Sequence, residues 1–203
     1  MPTEKTTAFD AVLCDLDDVI RFFDHSELAR REAALGLPAG RTMAAAFAPP
    51  HGRALVLGQL TKEEWTAAMV NELPKELTPS QAMALAGAFI EAPSHADRTV
   101  VDLLRRARTR YRLLLVTNAT PWLDQDLARI GLADLADEVV NSSAVGAAKP
   151  DPLIYRIAAD RAGVPAERCL FVDDRLSNVE AARDLGMSGL HYRGPAELST
   201  LLT

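Results

Sequence analysis

Two sets of acidic residues sit where they can do chemistry. Asp15, Asp17 and Asp18 close an apolar run, Ala11–Leu16, and Asp173 and Asp174 close another, Cys169–Val172. A third run, Arg112–Val116, ends in Thr117 and Asn118. A short fourth run, Glu138–Asn141, leads through a loop to Lys149 and Pro150. Carboxylates gathered at one place repel one another and cannot all stay ionised unless a cation joins them. A hard divalent ion answers that need: Mg²⁺ takes one or two carboxylates together with waters and a substrate phosphate. In such a set Asp15 can attack phosphorus and form an aspartyl-phosphate. Asp17, two residues on, can protonate the leaving oxygen and then deprotonate the water that hydrolyses the intermediate. The Thr117 hydroxyl and the Asn118 backbone can hydrogen-bond phosphoryl oxygens, and Lys149 can offset the charge of nucleophile and phosphate together. Phosphoryl transfer is mostly positioning and charge stabilisation, so the inventory suits it. A lone Asp reads more simply as a helix N-cap or a solvated loop residue. Two clusters at two strand ends weigh against that for the set.

The elements that must position these residues are legible as a pattern. Ala11–Leu16 reads as a buried parallel strand. From about Ser26 to Ala92 the signals are helical only. Glu27–Leu35 is amphipathic and stops at Gly36. Thr61 with Glu64, and Thr78 with Gln81, are capping boxes before Trp65–Leu73 and Ala82–Ile90. After Pro93 helices and strands alternate: a helix over about Arg98–Thr109, the strand Arg112–Val116, a helix opened by Pro121 and closed at Gly131, and the strand Glu138–Asn141. There follow a helix over Pro152–Ala162 ending at Gly163, the strand Cys169–Val172, a helix opened by a Ser177–Glu180 box, and a last strand near Gly189–Tyr192 with a short terminal helix. The expected fold is α/β: a Rossmann-like parallel sheet wrapped by helices, interrupted by an all-helical insert. In such a sheet ligands bind outside the carboxyl ends of the strands, where all the residues above are brought together.

These residues resemble the haloacid dehalogenase superfamily, most of whose members are phosphatases. Its first motif corresponds to Val12-Leu13-Cys14-Asp15-Leu16-Asp17 and its second to Leu115-Val116-Thr117-Asn118. The third corresponds to Lys149-Pro150-Asp151-Pro152, and the fourth to Phe171-Val172-Asp173-Asp174-Arg175 followed by Asn178 and Ala181-Ala182-Arg183. All four occur in order across essentially the whole chain. The resemblance implies an α/β catalytic core over residues 1–20 and 94–203. It also implies a helical cap over 21–93 that closes over the site, excludes water and chooses the substrate. Asp15 then matches the nucleophile and a magnesium ligand. Asp17 matches the acid/base, with its backbone carbonyl on the metal. Asp174 is the first choice for the remaining protein ligand, with Asp173 beside it as the alternative. The implied activity is magnesium-dependent hydrolysis of a small phosphorylated metabolite, with a sugar phosphate among the candidates. A phosphomutase needs the same residues. A 2-haloacid dehalogenase attacks carbon, lacks the acid at the Asp17 position and needs no magnesium. A non-catalytic phosphate-binding module is expected to have lost the nucleophile or the metal acids. One residue departs from the pattern: Asp18 stands where Gly is frequent, and Asp is among the few residues that tolerate unusual loop dihedrals.

Composition narrows the remaining classes. The 203-residue chain is 48% hydrophobic and 25% charged, enough for an ordinary core, but only 5% aromatic, and its formal net charge is -6. Both features argue against a nucleic-acid partner. Arg105, Arg106, Arg108, Arg110 and Arg112 cluster on and after one helix and read as its solvated face. Cys14 and Cys169 read as small core residues, and His25, His51, His95 and His191 show no metal-ligand spacing. Trp122 reads as packing against the helix after the second motif, Arg21 and Arg53 as exposed arginines, and Trp65, Met69 and Leu73 as the core of the insert. The opening residues form no signal peptide and no apolar run is long enough to span a bilayer, so a cytoplasmic protein without a membrane partner is the expectation.

Overall fold

The computed structural model describes residues 9–202. In chain order the elements are β1 (Ala11–Cys14), β2 (Arg21–Phe23), α1 (Ser26–Ala34), α2 (Arg41–Ala46), α3 (His51–Val56), α4 (Lys62–Glu72), α5 (Pro79–Ile90) and β3 (Ser94–Ala96). Then come α6 (Arg98–Ala107), β4 (Arg112–Thr117), α7 (Leu123–Arg129), β5 (Glu138–Asn141), α8 (Ser142–Val145), α9 (Pro152–Ala162), β6 (Cys169–Asp173), α10 (Leu176–Arg183), β7 (Ser188–His191) and α11 (Pro195–Leu202). The chain divides into two compact units, one reaching to Phe22 and resuming at Ala96, the other Phe23–His95. The division falls inside the short paired strands β2 and β3.

The first unit is built on a five-stranded sheet in the order β5-β4-β1-β6-β7, every neighbouring pair parallel. Its central strands are apolar along their middles, as in Ala11–Cys14, Leu113–Val116 and Cys169–Val172, because both faces are covered. Val12 and Cys14 enter one core with Leu104, Leu113, Leu115 and Val172. Ala11 and Leu13 enter the other with Leu114, Ile154, Tyr155 and Phe171. Each fully buried Leu or Phe contributes roughly 1.5–3 kcal/mol, so the sheet is a rigid platform. Register then fixes which residues share its carboxyl edge. Cys14 is level with Leu115 and Val172, Thr117 with Asn141, and Asp173 with His191. Asp15, one residue past β1, therefore emerges between the ends of β4 and β6.

The arginine cluster is tied down locally. Arg108 pairs with Asp137 at 2.8 Å, Arg112 reaches Asp137 and Glu138, and Arg105 lies 4.0 Å from Asp134. Both cysteines are buried and unbridged, and burial pushes both thiols up. Two expected helix starts differ. Pro121 lies in a turn, and α7 begins two residues later at Leu123. Ser177 sits inside α10 and caps nothing. The helix starts after Arg175, whose N–H is taken by the Asp173 carboxylate at 2.8 Å.

The second unit packs α1 to α5 around Leu55, Trp65, Met69, Leu73 and Leu85, all buried. Both capping boxes form, at Thr61–Glu64 before α4 and Thr78–Gln81 before α5. The buried Glu32 of α1 accepts the N–H groups of Gly40 at 2.8 Å and Thr42 at 2.7 Å, holding the start of α2. At its other end the Trp65 ring N–H donates to the Ala46 carbonyl at 2.7 Å. Among the described residues, no helix is long and apolar enough to cross a membrane.

Candidate active site

The Asp15 side chain leaves the end of β1 into a buried setting. Its Oδ1 accepts the Leu16 N–H at 2.7 Å and lies 2.7 Å from Lys149 Nζ. Lys149 Nζ is also 2.7 Å from Asp173 Oδ2, so one buried ammonium bridges two carboxylates from neighbouring strands. Burial pushes the Asp15 carboxyl up to about 7, against the lowering pull of Lys149 and with a further push from the Asp173 charge. Burial also works against the Lys149 charge, but Asp15 and Asp173 outweigh it and hold the ammonium above its usual range.

Asp173 and Asp174 are adjacent but not equivalent. Asp173 is fully buried and every lone pair is engaged. Its Oδ1 accepts Arg175 N–H at 2.8 Å and Asn178 Nδ2 at 3.0 Å. Its Oδ2 accepts Lys149 at 2.7 Å and Asn178 at 3.1 Å. Asp174 is half-buried. Burial pushes its carboxyl up, helped by the charges of Asp173 and Asp18. No protein donor reaches its carboxylate among the described residues, and only its backbone carbonyl is held, by His191 Nε2 at 2.8 Å. Ligand oxygens of Asp15, Asp173 and Asp174 lie within 4.8 Å of one another. With Lys149 they form a group of net charge minus two when all are ionised. A cluster of hard carboxylate oxygens with a surplus of two negative charges fits a divalent cation of the magnesium type.

The second and third motifs are joined by an amide. Asn118 Nδ2 donates to the Lys149 carbonyl at 2.9 Å, and Asn118 Oδ1 accepts the Lys149 N–H at 2.8 Å. The Asn118 side chain is thus spent on holding the lysine segment, which leaves its backbone as its only means of meeting a ligand. Thr117, the last residue of β4, is buried at 1% exposure. The loop after it is fixed by Ser142, whose hydroxyl accepts Ala119 N–H at 3.1 Å, and by Asn141, whose amide donates to the Thr120 carbonyl at 2.9 Å.

Asp17 lies in the loop after β1, which turns back on itself. Ile20 and Arg21 N–H both donate to the Leu16 carbonyl, and Asp18 N–H donates to the Arg21 carbonyl at 2.9 Å. Asp18 takes φ +61°, the left-handed conformation that Asp accepts more readily than most residues. The turn delivers Arg21 to Asp17: Nε to Oδ1 at 2.6 Å and Nη2 to Oδ2 at 3.0 Å. Arg21 is buried, not exposed as expected, because its charge is met here and by Asp126 Oδ2 at 3.8 Å. Arg53 is exposed and Trp122 half-buried. Asn178, His191 and Arg21 complete a site that the strand-end residues alone did not reveal. Only Asn178 carried a signal, as part of the fourth motif.

The chain as a whole is similar to known proteins of one family. Residues 9–186 match the haloacid dehalogenase-like hydrolase family. A phosphatase of Mycobacterium tuberculosis is 30% identical over 193 residues, covering 89% of this chain and 85% of that protein. A bifunctional epoxide hydrolase 2 of Mus musculus is 29% identical over 197 residues, and there the match spans 85% of this chain but 34% of the longer protein. Among solved structures, a haloacid dehalogenase family enzyme of Bacteroides thetaiotaomicron, in complex with magnesium and inorganic phosphate, superposes with a TM-score of 0.74 at 20% identity, covering 96% of this chain and 100% of that one.

Proposed function

The chain belongs to the haloacid dehalogenase-like hydrolase family, and on that premise we propose that it is a magnesium-dependent phosphatase acting on a small phosphate monoester through an aspartyl-phosphate on Asp15. The observation that carries this reading is the buried Asp15 carboxylate, held at Oδ1 by Lys149 and the Leu16 N–H and lying within 4.8 Å of Asp173 and Asp174 ligand oxygens. The similarity to a mycobacterial phosphatase and to an enzyme crystallised with magnesium and phosphate supports it.

In this reading Asp15 and Asp174 hold the ion with the Asp17 carbonyl, and Asp173 anchors Lys149 beside them. When bound, the magnesium ion neutralises the nucleophile and the phosphoryl oxygens so that the two anions can approach. A carboxylate oxygen of Asp15 attacks phosphorus and the bond to the ester oxygen breaks. Asp17 gives its proton to that departing oxygen. A water then attacks the phosphorus of the acyl phosphate while Asp17 takes up one of its protons, which releases inorganic phosphate and restores Asp15. Thr117 Oγ1 and the Asn118 N–H bind the phosphoryl oxygens, and Lys149 offsets their charge. The helical unit serves as the cap that selects the alcohol half of the substrate. Asp17 sets this reading apart from carbon–halogen cleavage, which needs no proton donor for a halide.

The test is hydrolysis of p-nitrophenyl phosphate and of a sugar-phosphate panel with Mg²⁺, with EDTA, and by the Asp15→Asn protein. Turnover that requires Mg²⁺ and disappears in Asp15→Asn is expected. Equal turnover by both proteins sinks the assignment of Asp15, and absence of turnover across the panel sinks the phosphatase reading.

A further inference from the structure

Arg21 belongs to none of the four motifs, yet it makes the closest ion pair to the acid/base. Its guanidinium meets the Asp17 carboxylate edge to edge, at 2.6 and 3.0 Å, one N–H to each oxygen. A two-point contact between planar groups fixes direction as well as distance, which a single-point ammonium does not. A carboxylate offers about four lone-pair directions. Arg21 takes one on each oxygen, so the directions left for a substrate or water are set relative to the loop. The arginine is itself held in place. It is 4% exposed, its backbone N–H donates to the Leu16 carbonyl at 2.8 Å, its carbonyl accepts Asp18 N–H, and Asp126 lies 3.8 Å from Nη1. Asp17, by contrast, keeps 35% of its side chain exposed, so without such a hold it has room to rotate. A surface ion pair is built the other way, with both partners mobile and neither aimed.

We propose that Arg21 is the positioning residue for Asp17: the two-point contact aims the carboxyl group at the leaving oxygen, and so determines how poor a leaving group the enzyme can expel. This rests on the phosphatase reading above. Breaking the phosphorus–oxygen bond of an alkyl or phenyl phosphate leaves a basic oxyanion that needs a proton from Asp17. Breaking that of p-nitrophenyl phosphate leaves a stable anion that needs little help. For an enzyme that passes through an aspartyl-phosphate, kcat/KM covers the steps up to departure of the alcohol, so it isolates proton donation from the later hydrolysis. A misaimed Asp17 therefore shows as a steeper fall of kcat/KM with leaving-group basicity, which a general loss of folded protein does not produce.

The experiment measures kcat/KM over a series of aryl and alkyl phosphates for wild type, Arg21→Gln, Arg21→Lys, Asp17→Asn and the double variant Arg21→Gln/Asp17→Asn, with Mg²⁺ present and circular dichroism and melting as controls of folding. General acid catalysis contributes about 10²–10⁴-fold. We expect Arg21→Gln to lose about 10- to 100-fold on phenyl and alkyl phosphates, less than about threefold on p-nitrophenyl phosphate, and Arg21→Lys to fall between it and wild type. In the Asp17→Asn background the arginine substitution should add no further steepening, because there is no longer a carboxyl to aim. A folded Arg21→Gln or Arg21→Lys protein with the wild-type dependence on leaving group overturns the proposal, as does steepening that persists in the double variant. If neither arginine variant folds while Asp17→Asn does, Arg21 serves the fold alone and the proposal is overturned. Inactive wild-type protein, or activity indifferent to Asp15→Asn, is a different outcome: it removes the phosphatase reading itself.

Discussion

Replacing Lys149 by Met tests the electrostatic logic of the site most directly. The ammonium is buried and stands 2.7 Å from carboxylates of both Asp15 and Asp173. Met matches the length of the stem but leaves two buried acids facing each other. Removing one partner of a buried ion pair costs about 3–5 kcal/mol, because a charge is left uncompensated. The cost here has a ceiling. Burial already pushes the Asp15 carboxyl up to about 7, and without the ammonium it takes a proton near neutrality and ceases to repel Asp173. The lower end, about 3 kcal/mol, is therefore expected. For a chain of this size about 1 kcal/mol moves the melting temperature by about 2–4 °C, so the fall should be about 6–12 °C. The assay is differential scanning calorimetry in EDTA at pH 7, with phosphatase activity measured in parallel. Mg²⁺ should narrow the gap in melting temperature, since an ion on the same acids replaces part of the lost charge, and it should not restore turnover, which we expect to be reduced about 10²–10³-fold. A Lys149→Met protein that melts within about 2 °C of wild type in EDTA refutes the claim that this lysine holds the acids together.

Other perturbations separate residues that look alike in sequence. Asp174→Asn should raise the Mg²⁺ concentration for half-maximal activity by more than about tenfold with little change in melting, whereas Asp173→Asn, which disturbs contacts to Lys149, Asn178 and Arg175, should cost about 1–3 kcal/mol of stability; Mg²⁺ titrations of activity and thermal melts distinguish the two. Asp137 is pushed up by burial but pulled further down by the Leu113 N–H, the Arg108 hydrogen bond and the charges of Arg108 and Arg112, so its folded carboxyl lies below the ordinary range. A depressed acid stabilises above its unfolded value of about 3.9 and loses that contribution as pH falls through the folded value. Asp137→Asn should thus destabilise by about 1–2 kcal/mol at pH 7, and the gap from wild type should close as melts are taken at successively lower pH beneath that unfolded value. Glu32→Ala strands the Gly40 and Thr42 N–H groups and should cost the helical unit about 1–3 kcal/mol, seen as an earlier urea transition in Trp65 fluorescence.

What could be read from sequence followed the physics of each element. The strands of the parallel sheet are covered on both faces, so they appear as apolar runs, and all five were located to within about two residues at either end. The capped helices α4 and α5 announced themselves through Thr61 and Thr78. Helices α2 and α3 did not, because they are six residues long and Gly40 and Pro50 before them supply no side-chain cap. The start of α2 is satisfied instead by Glu32, eight and ten residues upstream, a contact no local pattern encodes. Ser177 shows the opposite failure: its spacing to Glu180 mimics a capping box, but the helix has already begun at Leu176.

The acids at the carboxyl edge divide their labour by geometry. Asp173 is the last residue of β6, level with His191, and its side chain goes inward to Lys149 and Asn178 with its lone pairs filled. Asp174 leaves the strand, and with only its backbone held by His191 its carboxylate keeps the lone pairs that a cation needs. In the proposed phosphatase reading this difference makes Asp173 the anchor for Lys149 and Asp174 the ligand, although oxygens of both lie within 4.8 Å of each other. The first motif is sorted by the turn that follows β1. Asp15 stays with the sheet and meets Lys149, whereas Asp17 is carried off by a turn in which Asp18 takes a left-handed φ, and there it pairs with Arg21. On the proposal that Arg21 aims Asp17, the residue type at 18 matters too: a β-branched residue there disfavours the turn, should separate Arg21 from Asp17, and should reproduce the leaving-group dependence expected of the Arg21 variants without touching either charge.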